Sequence, residues 1–359
     1  MESEIKNFMK IWLFAICSAC YSLSLSRIFH IRSGIPRLLF ILPIIYLFTV
    51  LPLSLSSFHL GGPTIFFLVW LANFKLLLYA FDLGPLSTNP ITNNNNNNNN
   101  NVNSLSLSHF ISIALLPIKV NQQQPSKPTN NKWKSVLIIA FKLLAFALVI
   151  KIYDFTQHLP KFLLLINYCC HLYLGVEVTL AVVAAIVRAT LGLGLDPQFN
   201  EPYLATSLQD FWGRRWNLMV SDILRLSVFN PIRRVFSPLV GKRWALVVGM
   251  IAAFTVSGLM HELIFYYFTR VNPTWEVTWF FVLHGMCTAV EVVVKEAVGG
   301  RLQLHRLISG TLTIGFVAVT AWWLFLPQII RNGVDVKVIN EYPVMFSFVK
   351  QHIFFCFKN

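Results

Sequence analysis

The sequence contains few charged residues and a large excess of apolar ones. Only 12% of its 359 residues are Asp, Glu, Lys or Arg, whereas 55% are hydrophobic. An ordinary soluble domain is about 25% charged. This composition excludes a soluble globular protein, because most of the apolar surface has to face lipid.

Acidic residues are the scarcer charge, with 15 Asp and Glu against 29 Lys and Arg and a formal net charge of +14. A basic surplus also occurs in nucleic-acid-binding proteins, but here the basic residues flank apolar runs and form no solvated basic face. We therefore expect no nucleic-acid partner. Membrane lipid with anionic headgroups, or a phosphate-bearing cosubstrate such as coenzyme A, suits this charge better.

Cysteine is scarce as well. The six cysteines all fall in apolar stretches, at Cys17, Cys20, Cys169, Cys170, Cys287 and Cys356. The first two form a C-x-x-C pair, but no strand-helix context surrounds it, which argues against a redox motif. No zinc-binding spacing is present, so we expect no metal and no cofactor. We interpret the cysteines as small buried hydrophobic residues.

Apolar runs of about 20 residues, the length that a membrane-spanning helix needs, are abundant. Eight such runs occupy residues 11–29, 38–55, 63–81, 135–153, 162–187, 244–268, 276–295 and 307–327. A ninth run, 344–357, is short and is either a tilted span or an interfacial helix. The first run is longer than the apolar core of a signal peptide, so we expect a span there. The sequence predicts an all-α protein, a polytopic transmembrane helical bundle of about 8–9 spans.

The distribution of Lys and Arg predicts the orientation of this bundle. Alternate loops lie on opposite sides of the membrane, and one set of loops carries most of the basic residues. The basic side is expected to be cytosolic, which places the N-terminus in the lumen.

Two polar segments divide the membrane region. The first separates the N-terminal membrane helices, residues 1–81, from a second membrane region, residues 135–359. The second lies within that second region and interrupts it. Residues 82–134 include an unbroken Asn run and are expected to be a disordered loop, with an apolar patch at 110–117 that at most touches the membrane surface. Residues 188–243 are rich in Trp, Arg and turn residues. We expect short cytosolic amphipathic or re-entrant helices there, which would hold a water-soluble cosubstrate.

Ionisable side chains at membrane depth are costly and are usually there for a purpose. His261 and Glu262 lie in the run 244–268, and His284 lies at nearly the same depth in the next run, about 10–12 Å from the luminal end. His261 is either a catalytic base or a histidine that only bonds a neighbouring helix. We interpret Glu262 as a structural partner for another helix, and His284 as a group that orients the base or joins helices. Further groups of this kind are Lys75, Lys142, His171, Glu177 and Glu291.

The segment 211–217, with the sequence FWGRRWN, concentrates rings and positive charge in seven residues. Arg214 and Arg215 are suited to phosphates, and the rings of Phe211, Trp212 and Trp216 to an adenine or an acyl chain. An interfacial aromatic-basic anchor has the same composition.

Three segments resemble the plant wax synthases, which are long-chain-alcohol O-fatty-acyltransferases of the membrane-bound O-acyltransferase superfamily. They are LQDFWGRRWN at 208–217, SGLMHE at 257–262 and WLANFKLLLYA at 70–80. The resemblance runs over most of the chain outside the Asn-rich loop. It implies a catalytic region at 135–359, an acyl-CoA segment at 188–243 and a place in the endoplasmic reticulum membrane.

The same resemblance implies the site residues. The family's catalytic histidine corresponds to His261, and the Asn that ends its Phe-aromatic-x-x-x-Trp-Asn motif corresponds to Asn217. We expect Asn217 either to donate to the developing oxyanion or to orient the base. Glu262 and His284 come from their position and depth, not from the resemblance, and are the further candidates for supporting the base. Animal diacylglycerol and sterol acyltransferases carry an acidic residue and a Trp where this chain has Arg214 and Arg215, so their acyl-CoA contacts do not transfer.

The expected reaction moves a fatty acyl group from acyl-CoA, as cosubstrate, to a hydroxyl, with neutral His261 taking the hydroxyl proton. The acceptor is a long-chain alcohol, which gives a wax ester, or a sterol, which gives a steryl ester.

Two other classes of protein compete with the enzyme as interpretations of this sequence. A transporter also buries His and Glu, but the chain shows no internal repeat and 211–217 stays unexplained. A non-catalytic scaffold would use the same groups to join helices.

Overall fold

The computed structural model describes residues 2–87, 106–120, 132–299 and 304–356. Over these ranges the chain forms helices and turns, and its only extended pairing is an isolated bridge between Val120 and Leu195. The all-α prediction is therefore confirmed.

Fourteen α-helices follow one another in this part of the chain. They are α1 (Glu2–Arg27), α2 (Ile35–Val50), α3 (Phe58–Thr64), α4 (Asn73–Ala80), α5 (Leu107–Leu115), α6 (Lys132–Ile152), α7 (Lys161–Leu191), α8 (Leu208–Asp210), α9 (Leu218–Leu224), α10 (Asn230–Thr269), α11 (Glu276–Val298), α12 (Arg306–Thr320), α13 (Leu326–Arg331) and α14 (Val334–Cys356). Four π-helical segments join some of them, at Ile65–Ala72, Phe211–Arg215, Arg225–Phe229 and Ala321–Phe325.

Seven helical segments in the described ranges are long and apolar enough to cross a membrane. They are Glu2–Leu25, Ile35–Ser54, Phe58–Ala80, Lys161–Leu191, Leu218–Thr269, Glu276–Val298 and Arg306–Arg331. The predicted span 135–153 is helical as part of α6, whose exposed Phe141 and Leu144 face away from the protein. The short ninth run falls in α14, which contains Pro343 and is not among the seven. The protein is a polytopic helical membrane protein.

Helix α10 is broken near its middle. Gly241 has φ of 81° and ψ of 160°, a left-handed backbone conformation that glycine adopts without strain. The break separates a basic half, which carries Arg233 and Arg234, from the apolar half that carries His261. That second half matches the predicted span 244–268.

The expected disorder of residues 82–134 does not extend to α5. Its side chains Phe110, Ile113, Ala114 and Leu115 are buried in one core cluster with residues of α1, α2 and α4. Lys75, itself fully buried, donates from Nζ to the carbonyls of Ile113 and Leu116 at 2.7 and 2.6 Å. A cation at the carbonyl end of a helix is favourable. The patch is thus part of the core, and the Asn run 93–101 lies outside the described residues.

Part of the segment 188–243 enters the bundle, as predicted. Met219 and Val220 of α9 are buried in a cluster with Trp70, against which Met260 of α10 packs. The segment 188–243 therefore reaches the part of α10 that carries His261 and Glu262.

Glycine brings α10 and α11 close together. A Cβ atom at Gly258 would lie 2.9 Å from the Cα of Thr278, and one at Gly285 would lie 2.8 Å from the Cβ of Phe254. Real Cβ atoms do not approach other atoms this closely. The absence of a side chain at these two positions lets the α11 rings reach the α10 histidine.

Candidate active site

His261 is half-buried on α10 and is held in one tautomer. Its Nδ1 lies 2.8 Å from the carbonyl oxygen of Ser257, one turn earlier. A carbonyl oxygen only accepts hydrogen bonds, so Nδ1 carries the proton and Nε2 keeps its lone pair. No residue in the described ranges bonds to Nε2. The imidazole is arranged as a base with a free acceptor nitrogen.

Three aromatic rings enclose this imidazole. Phe281 of α11 stacks on it with ring centroids 4.2 Å apart, and Trp70 and Phe325 meet it edge-on at 5.0 and 5.7 Å. Trp70 and Phe325 both lie in π-helical segments, which occur frequently at functional sites. An aromatic enclosure of this kind keeps bulk water from the base.

Glu262 has a different environment from its neighbour. Its side chain is 3% exposed, and its carboxylate accepts a hydrogen bond of 3.3 Å from the backbone N–H of Thr278, in the first turn of α11. A carboxylate at a helix N-terminus is favourable. Glu262 therefore ties α10 to α11 and, within the described residues, does not bond to His261.

His284 is 0% exposed, and both of its ring nitrogens are used. The indole Nε1–H of Trp212 donates to Nδ1 at 3.0 Å, so the proton is on Nε2, which donates to the hydroxyl of Thr320 at 2.8 Å. His284 has no free lone pair to offer as a base. It fixes Trp212, whose ring packs against Phe281 at 5.7 Å, and Phe281 stacks on His261.

Asn217 begins helix α9. It has a left-handed backbone, with φ of 36°, and its Oδ1 accepts from the backbone N–H of Val220 at 3.4 Å. No hydrogen bond joins Asn217 to His261 in the described part of the chain. The carbonyl of Ser257 orients the base instead, and the role of Asn217 as an oxyanion donor stays a prediction.

The two arginines of the segment 211–217 differ in their partners. Arg215 donates to the carboxylate of Asp210 at 2.7 Å and to the carbonyls of Asn200 and Glu201, which closes the loop before α8. Arg214 is exposed and forms no hydrogen bond or ion pair over the described ranges. Arg214 is thus the guanidinium of this pair that is free to meet a phosphate.

The rings of the same segment pack on one another. Phe211 is buried and stacks on Trp216, with centroids 5.4 Å apart and planes at 18°. Trp216 also contacts Phe199 and Tyr173 of the preceding elements. These rings shape the loop that presents Arg214 and Asn217.

The other membrane-depth ionisable groups have structural partners. Lys142 of α6 pairs with Glu177 of α7, and Glu291 accepts from the N–H of Leu208 and from Lys295. His171 bonds the hydroxyls of Tyr153 and Tyr342. None of these side chains contacts His261 within the described residues.

Spacing along the sequence did not identify the rings around His261. Trp70, Phe281 and Phe325 come from three distant segments, and only Trp70 lies in a motif that the sequence singled out. Their convergence depends on the close approach of α10 and α11 and on the two π-helical segments.

Fold and site together define a polytopic helical membrane protein with an unprotonated imidazole nitrogen inside its bundle. Residues 195–283, which include Asn217 and His261, match the family model described as "Membrane bound O-acyl transferase family". The chain is 56% identical over 359 residues to a "Long-chain-alcohol O-fatty-acyltransferase" of Simmondsia chinensis, covering 98% of each chain.

Two relatives from Arabidopsis thaliana show how the family extends. The chain is 44% identical over 357 residues to "Probable long-chain-alcohol O-fatty-acyltransferase 1", covering 98% of each chain. It is 42% identical over 347 residues to "Acyl-CoA--sterol O-acyltransferase 1", covering 95% of this chain and 96% of that one. The chain belongs to the long-chain-alcohol O-fatty-acyltransferase family of membrane bound O-acyl transferases, and it is an acyltransferase.

Proposed function

We propose that this enzyme transfers a fatty acyl group from acyl-CoA to the hydroxyl of a long-chain alcohol, which forms a wax ester and free coenzyme A. The observation that carries the proposal is the tautomer of His261, whose Nε2 is left free by the bond from Nδ1 to Ser257. A base with this lone pair, inside an aromatic enclosure, suits an apolar alcohol.

The alcohol oxygen attacks the thioester carbon while His261 Nε2 takes the hydroxyl proton. The carbon–sulfur bond then breaks, coenzyme A leaves as the thiolate, and the proton passes from the imidazolium to that sulfur. The Ser257 carbonyl, 2.8 Å from Nδ1, stabilises the imidazolium in between. General-base help of this kind is worth about 10²–10⁴ in rate.

The surroundings of the base favour transfer to an alcohol over hydrolysis. Phe281, Trp70 and Phe325 leave little room for water beside the imidazole, and exclusion of water prevents loss of the acyl group. The acyl chain and the alcohol enter from lipid. Exposed Arg214, with Arg233 and Arg234, meets the phosphates of acyl-CoA on the cytosolic side of the endoplasmic reticulum membrane. No further cofactor takes part.

A second candidate function differs from the proposed one in its acceptor, which is a sterol instead of a long-chain alcohol. The relative named for acyl-CoA and sterol is 42% identical to this chain, whereas the Simmondsia relative named for long-chain alcohols is 56% identical. The higher identity favours a long-chain alcohol.

A lipid assay on membranes that contain the protein tests this proposal. Labelled oleoyl-CoA is supplied with equimolar hexadecanol and a plant sterol, and the neutral lipids are separated. We expect labelled wax ester as the main product. Steryl ester as the main product would overturn the choice of acceptor, and absence of both esters would overturn the acyl transfer itself.

A further inference from the structure

Trp70 carries a buried hydrogen-bond donor without a partner. Its side chain is 2% exposed, and its Nε1 forms no hydrogen bond in the described structure. Buried N–H groups are nearly always bonded, because an unpaired one has lost its water without replacement. Two other indoles of the chain follow that rule: Nε1 of Trp12 donates to Thr64 at 3.3 Å, and Nε1 of Trp212 donates to His284 at 3.0 Å.

The ring that carries this unpaired donor contacts the ring of the proposed base. The ring of Trp70 meets that of His261 edge-on, with centroids 5.0 Å apart and planes at 83°. Trp70 also belongs to the cluster that contains Met219 and Val220 of α9, the helix that Asn217 caps. The indole therefore stands between the helix of the base and the helix that follows the segment 211–217.

We propose that the indole N–H of Trp70 donates a hydrogen bond to the carbonyl oxygen of the bound acyl thioester, which makes Trp70 a catalytic residue. The proposal rests on the acyl transfer proposed above. The ring centroids of Trp70 and His261 are 5.0 Å apart, so the indole is near enough to reach the carbonyl of a thioester that is attacked by an alcohol on His261 Nε2.

The N–H acts on the charge that develops during the reaction. As the new carbon–oxygen bond forms, the carbonyl oxygen becomes negative, and it returns to a carbonyl when the carbon–sulfur bond breaks. Trp70 keeps its proton throughout. Because this donor bonds to no group of the described chain, it has no bond within the protein to give up when it donates to this oxygen.

The variant Trp70→Phe tests the donor, because it keeps an apolar ring and removes the N–H. We expect turnover per folded enzyme to fall about 10²–10³-fold, the usual effect of removing one oxyanion donor. The matched control is Trp12→Phe, which makes the same change in an indole with a satisfied bond, far along the chain from His261. Its turnover should stay near wild type. Equal turnover of the two variants would overturn the proposal.

Inhibition by S-alkyl-CoA separates catalysis from packing. This thioether lacks the carbonyl oxygen, so wild type and Trp70→Phe should bind it equally although their turnover differs. If S-alkyl-CoA inhibited Trp70→Phe more weakly than wild type, by about the factor by which turnover fell, the proposal would be overturned and Trp70 would be a packing residue.

A second replacement avoids any change in packing. β-(3-Benzothienyl)alanine at position 70 keeps both fused rings and replaces the N–H by sulfur. It should lower turnover as Trp70→Phe does, and unchanged turnover would overturn the proposal. Ester formation by wild type is measured in the same membranes to distinguish the two proposals. If wild type forms no ester, the proposed acyl transfer is wrong. If wild type forms ester and the variant is unaffected, only the proposed role of Trp70 is wrong.

Discussion

His261 and His284 have the same side chain but opposite tautomers. A carbonyl oxygen faces Nδ1 of His261, whereas an indole N–H faces Nδ1 of His284. Only the first arrangement leaves a nitrogen that can accept a proton from a substrate. The neighbours of each imidazole, and not its depth in the membrane, decide its chemistry.

The variant His261→Gln tests the base and also separates an enzyme from a scaffold. Glutamine is polar and similar in size, so a scaffold tolerates it, but its amide does not accept a proton at neutral pH. We expect ester formation to fall by about 10²–10⁴, with protein abundance near wild type. The measurement is labelled ester per amount of enzyme in membranes. A loss of less than tenfold would remove His261 from the role of base.

The pairing of His284 with Thr320 predicts a cost in stability. Thr320→Val keeps the side-chain volume but leaves the buried Nε2–H of His284 without its acceptor, which costs about 1–3 kcal/mol. The control is Thr313→Val on the same helix, where the hydroxyl bonds only the backbone carbonyl of Ser309. Thermal unfolding in detergent should separate the two variants. Equal melting temperatures would contradict the role given to His284.

At the scale of elements, the close approach of α10 and α11 positions the site. Gly258→Ala would place a methyl group 2.9 Å from backbone of Thr278, so the helices have to separate. We expect lower thermal stability and lower turnover, because the stacking of Phe281 on His261 depends on this spacing. The control is Gly315→Ala on α12, where a Cβ atom would meet no other part of the described chain within 4 Å outside its own helix. Alanine there should be neutral or stabilising, by up to about 1 kcal/mol. Similar behaviour of both variants would contradict the argument.

Local pattern predicted some elements well and others poorly. The span 244–268 followed from its apolar length, and α10 after Gly241 matches it. Helix α5 did not follow, because its flanks are polar and its apolar face is recognisable only once α1 covers it. The site divides in the same way. His261 was identified as a candidate from one costly side chain and a family-like motif, and its role stays a prediction. The positions of Phe281 and Phe325 depend on packing between distant segments.

At the scale of the whole molecule, the proposed reaction requires two kinds of substrate to meet at one imidazole. Acyl-CoA carries a charged head that stays near water, while the alcohol is dissolved in lipid. By the rise of an α-helix, His261 lies about 30 Å from Gly241 and about 12 Å from the other end of α10. Because α9 enters the bundle to the level of Met260, the polar segment bridges part of that distance.

This arrangement requires the Gly241 end of α10 to face the cytosol, because the charged head of acyl-CoA reaches the enzyme from cytosolic water. The two ends of the same helix offer a direct test, because Lys242 and Asn272 are both exposed and lie beyond opposite ends of its apolar half. We expect Lys242→Cys to react with a membrane-impermeant maleimide in sealed microsomes. Asn272→Cys should react only after the membrane is permeabilised.

Wild type labelled under the same two conditions provides the background, because it carries the same six native cysteines. The opposite labelling pattern would invert the orientation that the basic loops predict. It would also place Arg214, Arg233 and Arg234 in the lumen, away from cytosolic acyl-CoA, and the assignment of these arginines to its phosphates would then be wrong. Labelling of both variants in sealed vesicles would show instead that the half of α10 after Gly241 does not cross the membrane.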